Sequence, residues 1–418
     1  MNNRDPYTLV ERNAGYHVDR YDLDLTYHVE PNRLSGTAAL NIVIDDDLRR
    51  LTFDLADHLK VKHVDAKGAK VAKFKHNDGK LRVTFDSDLE VGDGVTMKIQ
   101  YSGNPRGIKT TWGELGWEEL ESGALVASQP NGAPSWFPCD DTPARKAHFD
   151  IHLEADSPYE VICTGAYMSK KTKGSMTRWH YRTKHPMATY LVSVEVGSYA
   201  TAQLGERCIA YVPPRLRSRV KEVFAQQEEM LTTYEDLFGS YPFDHYRVVI
   251  TDDSLEIPVE AQGMSIFGSN HVSPHWERLI AHELSHQWFG NAVGVARWQD
   301  IWLNEGFACY CEWLWAEHKG VSTAADMARK HYDRLAELPQ DILIGDPGPD
   351  DMFDDRLYKR GALAVHALRV RLGDDIFFST IRDYLSQHFH STVTTDDLPH
   401  VEILDDWLWH TELPKFPR

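Results

Sequence analysis

The first 200 residues alternate apolar and polar side chains with the period of β-strands. From Tyr21 to Val29 every second residue is a large apolar one, and the residues between them are Asp, Thr or His. Short apolar runs separated by Gly, Asp and Asn follow at residues 40–44, 51–55, 81–85, 95–101 and 149–153. This pattern predicts an antiparallel β-sheet domain over residues 1–200.

After about residue 200 the apolar residues recur every three or four positions, which is the period of helices. One helix is predicted over Arg217 to Leu237, because helices commonly end just before a glycine and Gly239 follows. A strand is predicted over Tyr246 to Ile250, and further helices over residues 276–289, 304–318, 324–335, 357–372 and 375–388. The fold class is therefore α+β, with a mostly helical second domain over residues 201–418.

Charge and composition narrow the classes of function. The chain has 45 Lys and Arg against 63 Asp and Glu, a net charge of −18, which repels phosphate backbones and anionic lipids. Nucleic acids and membranes are therefore not expected partners. The start of the chain lacks the apolar core of a signal peptide, and we expect a cytoplasmic protein. The five cysteines have no paired spacing and are expected to be reduced and buried: Cys139, Cys163, Cys208, Cys309 and Cys311.

The helical half contains the motif His-Glu-Leu-Ser-His at residues 282–286. Residues four apart on a helix project the same way, so the imidazoles of His282 and His286 can converge on one metal ion, with Glu283 on the adjoining face. The motif alone would also fit two solvated surface histidines. A third ligand is needed to decide between these interpretations.

Glu305 is the candidate third ligand. Eighteen residues separate it from His286, and it starts the next helical pattern. A second, antiparallel helix would bring this carboxylate to the two imidazoles and leave a fourth tetrahedral position for water, as in catalytic zinc sites. Glu312 lies two turns further along the same face, where it can accept the second N–H of a ligand histidine; a solvated glutamate is the alternative.

Several motifs resemble those of the aminopeptidase N-like zinc peptidases, the gluzincins of peptidase family M1. Residues 137–149 resemble the family's Phe-Pro-Cys-x-Asp-x-Pro-x-x-Lys-Ala-x-Phe segment, and residues 288–291 and 298–306 resemble the sequences around its zinc ligands. The resemblance implies an N-terminal β-sheet domain and a thermolysin-like catalytic domain with one zinc ion, held by His282, His286 and Glu305. The chain's end resembles that of short members that lack the large C-terminal helical domain, so an open cleft is expected.

The resemblance also implies roles for residues that are not metal ligands. Glu283 is the expected general base. Tyr358, in a segment similar to the family's Tyr-x-Lys-Gly-Ala with Arg360 in place of the usual Lys, is expected to donate to a developing oxyanion; a tyrosine packed on a helix is the alternative.

The loop that binds the substrate's α-amine departs from the family's Gly-Ala-Met-Glu-Asn form. One register of residues 258–267 puts Glu260 in the amine-binding role, whereas the competing register puts Ser265 there and leaves no carboxylate. We favour Glu260, because an ammonium that leaves water needs a compensating charge. Gln129, eight residues before Phe137, is the second expected contact to the amine.

These features predict a zinc-dependent aminopeptidase that acts on peptides with a free N-terminus. The alternatives are a gluzincin-fold endopeptidase or a hydrolase of another bond, and a non-catalytic interaction scaffold of the same fold. An intact ligand set together with Glu283 and Tyr358 argues against the scaffold, since binding alone would not require these residues.

Overall fold

The computed structural model describes residues 4–417, and the chain divides into two compact units, Met1–Ala200 and Thr201–Arg418. None of the described helices is both long and apolar enough to cross a membrane. All five cysteines are buried.

The described part of the first unit forms three β-sheets. A seven-stranded sheet has the order β13-β14-β11-β1-β2-β7-β4, a five-stranded sheet the order β12-β15-β10-β9-β8, and a three-stranded sheet the order β3-β6-β5. The strands are β1 Tyr16–His28, β2 Arg33–Ile44, β3 Leu48–Asp54, β4 Leu59–Lys67, β5 Val71–Asn77, β6 Lys80–Leu89, β7 Gly94–Gly103, β8 Ile108–Thr110, β9 Gly113–Leu120, β10 Gly123–Ala127, β11 His148–Asp156, β12 Glu160–Cys163, β13 Ala166–Lys173, β14 Met176–Arg182 and β15 Val194–Gly197.

Neighbouring strands of this unit are antiparallel except for one pair. β1 and β11 run parallel, with Tyr21 opposite Phe149. A parallel pair needs a long connection, and the more than 100 residues between these two strands provide one. Alternation of apolar residues predicts strands but not their relative direction, so the sequence pattern could not show this pair.

The apolar face of β1 lies in an aromatic core. Tyr21 stacks on Phe149 at 4.8 Å between ring centroids, and Phe137 meets Tyr21 edge-on at 5.6 Å. Tyr27 contacts Trp117 of the five-stranded sheet at 4.7 Å, so the aromatic rings join the two sheets. Offset and edge-on ring pairs of this kind add to the burial of apolar surface.

The second unit has a five-stranded sheet covered by helices. The sheet order is β16-β17-β18-β20-β19; β17, β18 and β20 are mutually parallel, and β19 is an antiparallel edge strand. The strands are β16 Ala200–Gln203, β17 Cys208–Val212, β18 Tyr246–Ile250, β19 Val259–Ala261 and β20 Met264–Phe267, with a small two-stranded sheet of β21 Gly294–Val295 and β22 Thr392–Val393. The helices are α1 Arg217–Val223, α2 Gln227–Phe238, α3 Glu277–Ser285, α4 Trp302–His318, α5 Ala324–Ala336, α6 Gly348–Asp351, α7 Asp355–Leu372, α8 Asp374–His388 and α9 Asp405–Leu408.

Two helix predictions were wrong in extent. The predicted helix from Arg217 to Leu237 is two helices, α1 and α2, interrupted at residues 224–226. The side chain of Phe224 is buried there against Phe267, at 5.2 Å between ring centroids, and no Gly or Pro marks the break. The helix predicted to continue to residue 289 ends at Ser285, and the chain turns through Gly290, whose φ of 119° suits glycine.

Candidate metal centre and active site

The two histidines of the 282–286 motif and Glu305 meet inside the second unit. His282 lies in the last turn of α3 and His286 directly follows the helix. The Nε2 atom of each imidazole lies 3.5 Å from Oε2 of Glu305. The three ligand atoms lie within 4.8 Å of one another, and all three residues are buried. The structure thus brings the three predicted ligands together.

Hydrogen bonds on the far side of each ring determine which nitrogen faces this common space. Nδ1 of His282 lies 2.9 Å from Oε1 of Glu312, and Nδ1 of His286 lies 3.0 Å from the carbonyl oxygen of Phe289. A carboxylate and a carbonyl can only accept, so each Nδ1 carries a hydrogen. When a ring carries only this hydrogen, its Nε2 lone pair faces Glu305, which is the arrangement that a zinc ion requires.

Two glycines set the position of Glu305 beside Tyr358. A β-carbon added to Gly306 of α4 would lie 2.9 Å from the Cα of Gly361 in α7, so only glycine lets the two helix backbones approach this closely. Glu305 directly precedes the first of these glycines, and Tyr358 lies three residues before the second. Both glycines lie in motifs that the sequence shows, but nothing in those motifs indicates that the two residues touch.

Tyr358 lies over the metal centre. Its ring is nearly parallel to that of His282, with 6.1 Å between ring centroids and an interplanar angle of 15°. Burial, and then the carboxylate of Glu305, raise the pKa of Tyr358 well above its usual value. The phenol is therefore protonated at neutral pH and can donate a hydrogen bond.

Glu283 has an acceptor atom that no described protein group satisfies. Its Oε2 is buried and has no hydrogen-bond partner among the described residues. Burial raises the pKa of Glu283 to about 7, although His282 and His286 act in the opposite direction. A buried carboxylate with a free oxygen can accept a proton from a small molecule that enters the site.

Glu260, on the edge strand β19, forms a second cluster with the same residues. Its carboxylate, that of Glu283 and the imidazole of His286 lie within 4.8 Å of one another. Burial alone would lower the pKa of His286, but the carboxylates of Glu305 and Glu260 raise it. The carboxylates of the centre therefore favour positive charge beside them, on an imidazole or on a bound cation.

Two polar residues for which the sequence predicted no role of their own, Gln287 and Asn291, bind the backbone of the strand that carries Glu260 and of the turn after it. Gln287 accepts a hydrogen bond from the backbone N–H of Gly263 at 2.7 Å and donates to the carbonyl of Ala261 at 3.1 Å. Asn291 donates to the same carbonyl at 3.0 Å. Both are fully buried. The sequence signal for this role was their position directly after the histidine motif, since amide side chains that are buried there need hydrogen-bond partners.

Ser265 lies directly opposite Glu260 in the β19–β20 pair. Its hydroxyl accepts a hydrogen bond from Oη of Tyr246 at 2.6 Å and donates to the backbone carbonyl of Glu283 at 3.3 Å. The hydroxyl thus has protein partners for both roles. Gln129 belongs to the first unit, where it is half-buried just after β10, and its contact with a substrate amine remains a prediction.

Glu312 also ties the centre to α7. Burial would raise the pKa of Glu312, but Lys359 and His282 lower it to about 2, so the residue is a carboxylate at neutral pH. Lys359 itself donates to Sγ of Cys309 at 3.2 Å. The alternative interpretation, a solvated Glu312, is wrong, because the residue is buried with 6% of its surface exposed.

Both units of the chain match known protein-family models. Residues 17–191 match the family model "Peptidase M1 N-terminal domain", and residues 223–404 match "Peptidase family M1 domain". The chain is 26% identical to aminopeptidase M1-B of Oryza sativa subsp. japonica over 415 residues, which covers 90% of this chain and 47% of that protein. It therefore spans about half the length of the curated relatives that it matches first.

Two solved structures resemble the chain along most of its length. The M1 zinc metallopeptidase from Deinococcus radiodurans is 27% identical, with a TM-score of 0.86 and 99% of both chains covered. Leukotriene A4 hydrolase from Saccharomyces cerevisiae shares the fold at 21% identity, with a TM-score of 0.82 and 99% of this chain and 71% of that one covered. With both family models matched and three zinc-compatible ligands assembled, the chain belongs to peptidase family M1, a family of zinc metallopeptidases.

Proposed function

We propose that this protein is a zinc-dependent aminopeptidase that removes the N-terminal residue from peptides. One observation carries the proposal: the carboxylate of Glu260, which is outside the proposed ligand set, lies within 4.8 Å of the candidate ligand atoms of Glu283 and His286. A negative group at this distance from the catalytic carboxylate suits a substrate whose free ammonium lies one residue from the bond that is cut. We further propose residues 201–418 as the catalytic domain and residues 1–200 as the N-terminal domain.

The metal would be held by His282, His286 and Glu305. The donor set fits zinc, since two imidazole nitrogens and one carboxylate oxygen surround a common space and Glu312 and Phe289 orient the rings. A zinc ion bound there acts as a Lewis acid toward water and the peptide carbonyl.

Glu283 would handle the proton. Its unpartnered Oε2 takes a proton from the attacking water, and the same carboxyl group then gives the proton to the leaving amine. The Tyr358 hydroxyl, kept protonated by burial, donates a hydrogen bond to the carbonyl oxygen as negative charge develops on it. Glu260 pairs with the substrate ammonium and fixes which bond is cut.

A relative supports the substrate class. The Deinococcus radiodurans metallopeptidase has been solved as a variant bound to a Tyr-Ser-Ala substrate. A variant of a two-domain M1 zinc metallopeptidase has been solved bound to L-arginine and, separately, to L-tryptophan. These ligands carry free α-amines, as the proposed role of Glu260 requires. The expected location in the cytoplasm stays a prediction of the sequence.

A panel of aminoacyl reporter substrates, each with its N-acetylated twin, tests this function. We expect hydrolysis of the free-amine substrates and a loss of roughly a hundredfold or more in kcat/KM on acetylation, since the acetylated amine has no charge to pair with Glu260. Elemental analysis of protein purified without added metal should find about one zinc per chain. Internal cleavage of blocked peptides would favour an endopeptidase, and a zinc-loaded protein that cleaves neither class would favour the scaffold.

Glu312→Ala should weaken zinc binding without removing a ligand. The substitution takes away the acceptor that holds Nδ1–H of His282 at 2.9 Å, and losses of this kind typically reduce metal affinity about 10- to 100-fold. Competition with a chelator measures the affinity. The matched control is Glu317→Ala on the same helix, outside the centre, which should keep the wild-type affinity; an unchanged affinity in Glu312→Ala would contradict the assigned contact.

A further inference from the structure

A second cluster of metal-ligating side chains lies in the first unit, on the seven-stranded sheet. His152 of β11 and His180 of β14 are directly opposite one another in the antiparallel pair, and Asp150 precedes His152 by two residues on the same face. One ligand atom from each residue lies within 4.8 Å of the other two. The proposed catalysis does not use these residues, which lie within the matched N-terminal domain, residues 17–191.

The Nε2 atoms of both histidines face the same carboxylate oxygen of Asp150. Nε2 of His180 lies 2.6 Å and Nε2 of His152 lies 3.5 Å from Oδ1 of Asp150. The two imidazole rings are nearly parallel, with 4.0 Å between their centroids. The side chains of His152 and His180 retain 35% and 17% exposure, so both rings can reach solvent and can tilt toward a common ion.

The two oxygens of the Asp150 carboxylate have different partners. Its Oδ2 accepts from Arg20 at 2.7 Å and from Arg182 at 2.7 Å, whereas its Oδ1 faces only the imidazoles among the hydrogen bonds and ion pairs of the described residues. The arginines fix the carboxylate while one oxygen remains directed at the histidines. A fixed carboxylate oxygen next to two imidazoles lowers the cost of ordering the donors around an ion.

The arginines around the cluster are each paired with a carboxylate. Arg20 pairs with Asp22 as well as with Asp150, Arg182 pairs with Asp150, and Arg178 pairs with Asp24 at 2.8 Å.

We propose that Asp150, His152 and His180 form a second metal site, which binds a divalent transition ion of the imidazole-preferring class, such as Zn²⁺ or Cu²⁺. Two nitrogens and one oxygen select such ions over Mg²⁺ and Ca²⁺, which prefer all-oxygen sites. On binding, the hydrogen bond from His180 to Asp150 opens, the ring proton moves to Nδ1, and Nε2 donates its lone pair to the ion. The ion then links β11 and β14.

Electron paramagnetic resonance of protein that carries one zinc per chain, with one added equivalent of Cu²⁺, tests this site. Zinc gives no signal, so the spectrum reports only the added copper, and mass spectrometry of the desalted protein verifies that the catalytic zinc is retained. We expect a spectrum with coupling to two imidazole nitrogens. Excess Zn²⁺ should displace the copper, and excess Mg²⁺ should not.

Variants of the two histidines decide whether these rings are the ligands. His152→Gln and His180→Gln should each weaken copper binding by about tenfold or more, on the scale of losses at metal sites. His63→Gln, an exposed histidine on β4, is the matched control and should bind like the wild type. Circular dichroism checks that each variant is folded. Unchanged copper binding in the folded His152→Gln and His180→Gln proteins, or an equal loss in His63→Gln, overturns the proposal.

Discussion

Replacing Glu283 by Gln is expected to lower kcat by roughly a hundredfold or more while the zinc stays bound. Glutamine has nearly the same shape, so the buried position next to His282 can be kept. An amide cannot take a proton from water, whereas the unpartnered Oε2 of the carboxylate can. Steady-state kinetics on a free-amine reporter, together with zinc analysis of the same preparation, measures both quantities.

Glu305→Gln is the matched control for this experiment, because it makes the same chemical change at a proposed ligand. It should lose zinc as well as activity, since Glu305 supplies the oxygen that both histidines face at 3.5 Å. Loss of zinc in Glu283→Gln, or a near-normal kcat with zinc present, would show that Glu283 does not act on the chemical step.

The parts of the centre that follow from local periodicity could be predicted from the sequence. Residues four apart on a helix share a face, so the convergence of His282 and His286 needs only the helix, and the spacing to Glu305 needs only a second antiparallel helix. Their contact at 3.5 Å is the consequence. The helical period is therefore sufficient to predict the pairing of the two histidines. The position of Glu305 required the further expectation that a second helix packs antiparallel to the first.

Tertiary contacts account for what could not be predicted. Gly306 and Gly361 lie in different helices, and nothing in either helix reveals that the two backbones touch. Gln287 and Asn291 act on a strand more than 20 residues earlier in the chain. The interruption at Phe224 has the same origin, because burial of its ring depends on a partner in β20. A pattern within one segment does not contain such information.

The register of the β19–β20 pair bears on the amine-binding residue. The two candidates, Glu260 and Ser265, are cross-strand partners and therefore lie side by side. The two alternatives thus differ mainly in whether a carboxylate or a hydroxyl would bind the amine. Ser265 uses its hydroxyl to bind Tyr246 and the carbonyl of Glu283. Glu260 retains a carboxylate near the centre. These contacts favour Glu260 for binding an ammonium and make a sharp comparison possible.

Glu260→Gln should reduce kcat/KM for free-amine substrates by about 2 to 4 kcal/mol, which is roughly 30- to 1000-fold. The proposed charge pair with the ammonium would both bind the substrate and hold the first peptide bond at the metal centre, so kcat and KM are both expected to change. The N-acetylated twins offer no charge and should not become worse substrates in this variant. Kinetics on matched pairs of substrates separates the two contributions.

Ser265→Ala is the matched control across the strand pair, and its expected effect is on stability rather than on activity. The substitution leaves the buried Oη of Tyr246 without its acceptor, at a cost of about 1 to 3 kcal/mol in the free energy of unfolding, whereas the carboxylate of Glu260 is untouched. Denaturant unfolding and kcat/KM of the folded protein measure the two effects. If folded Ser265→Ala loses activity on free amines while Glu260→Gln retains it, the serine binds the amine and the glutamate does not.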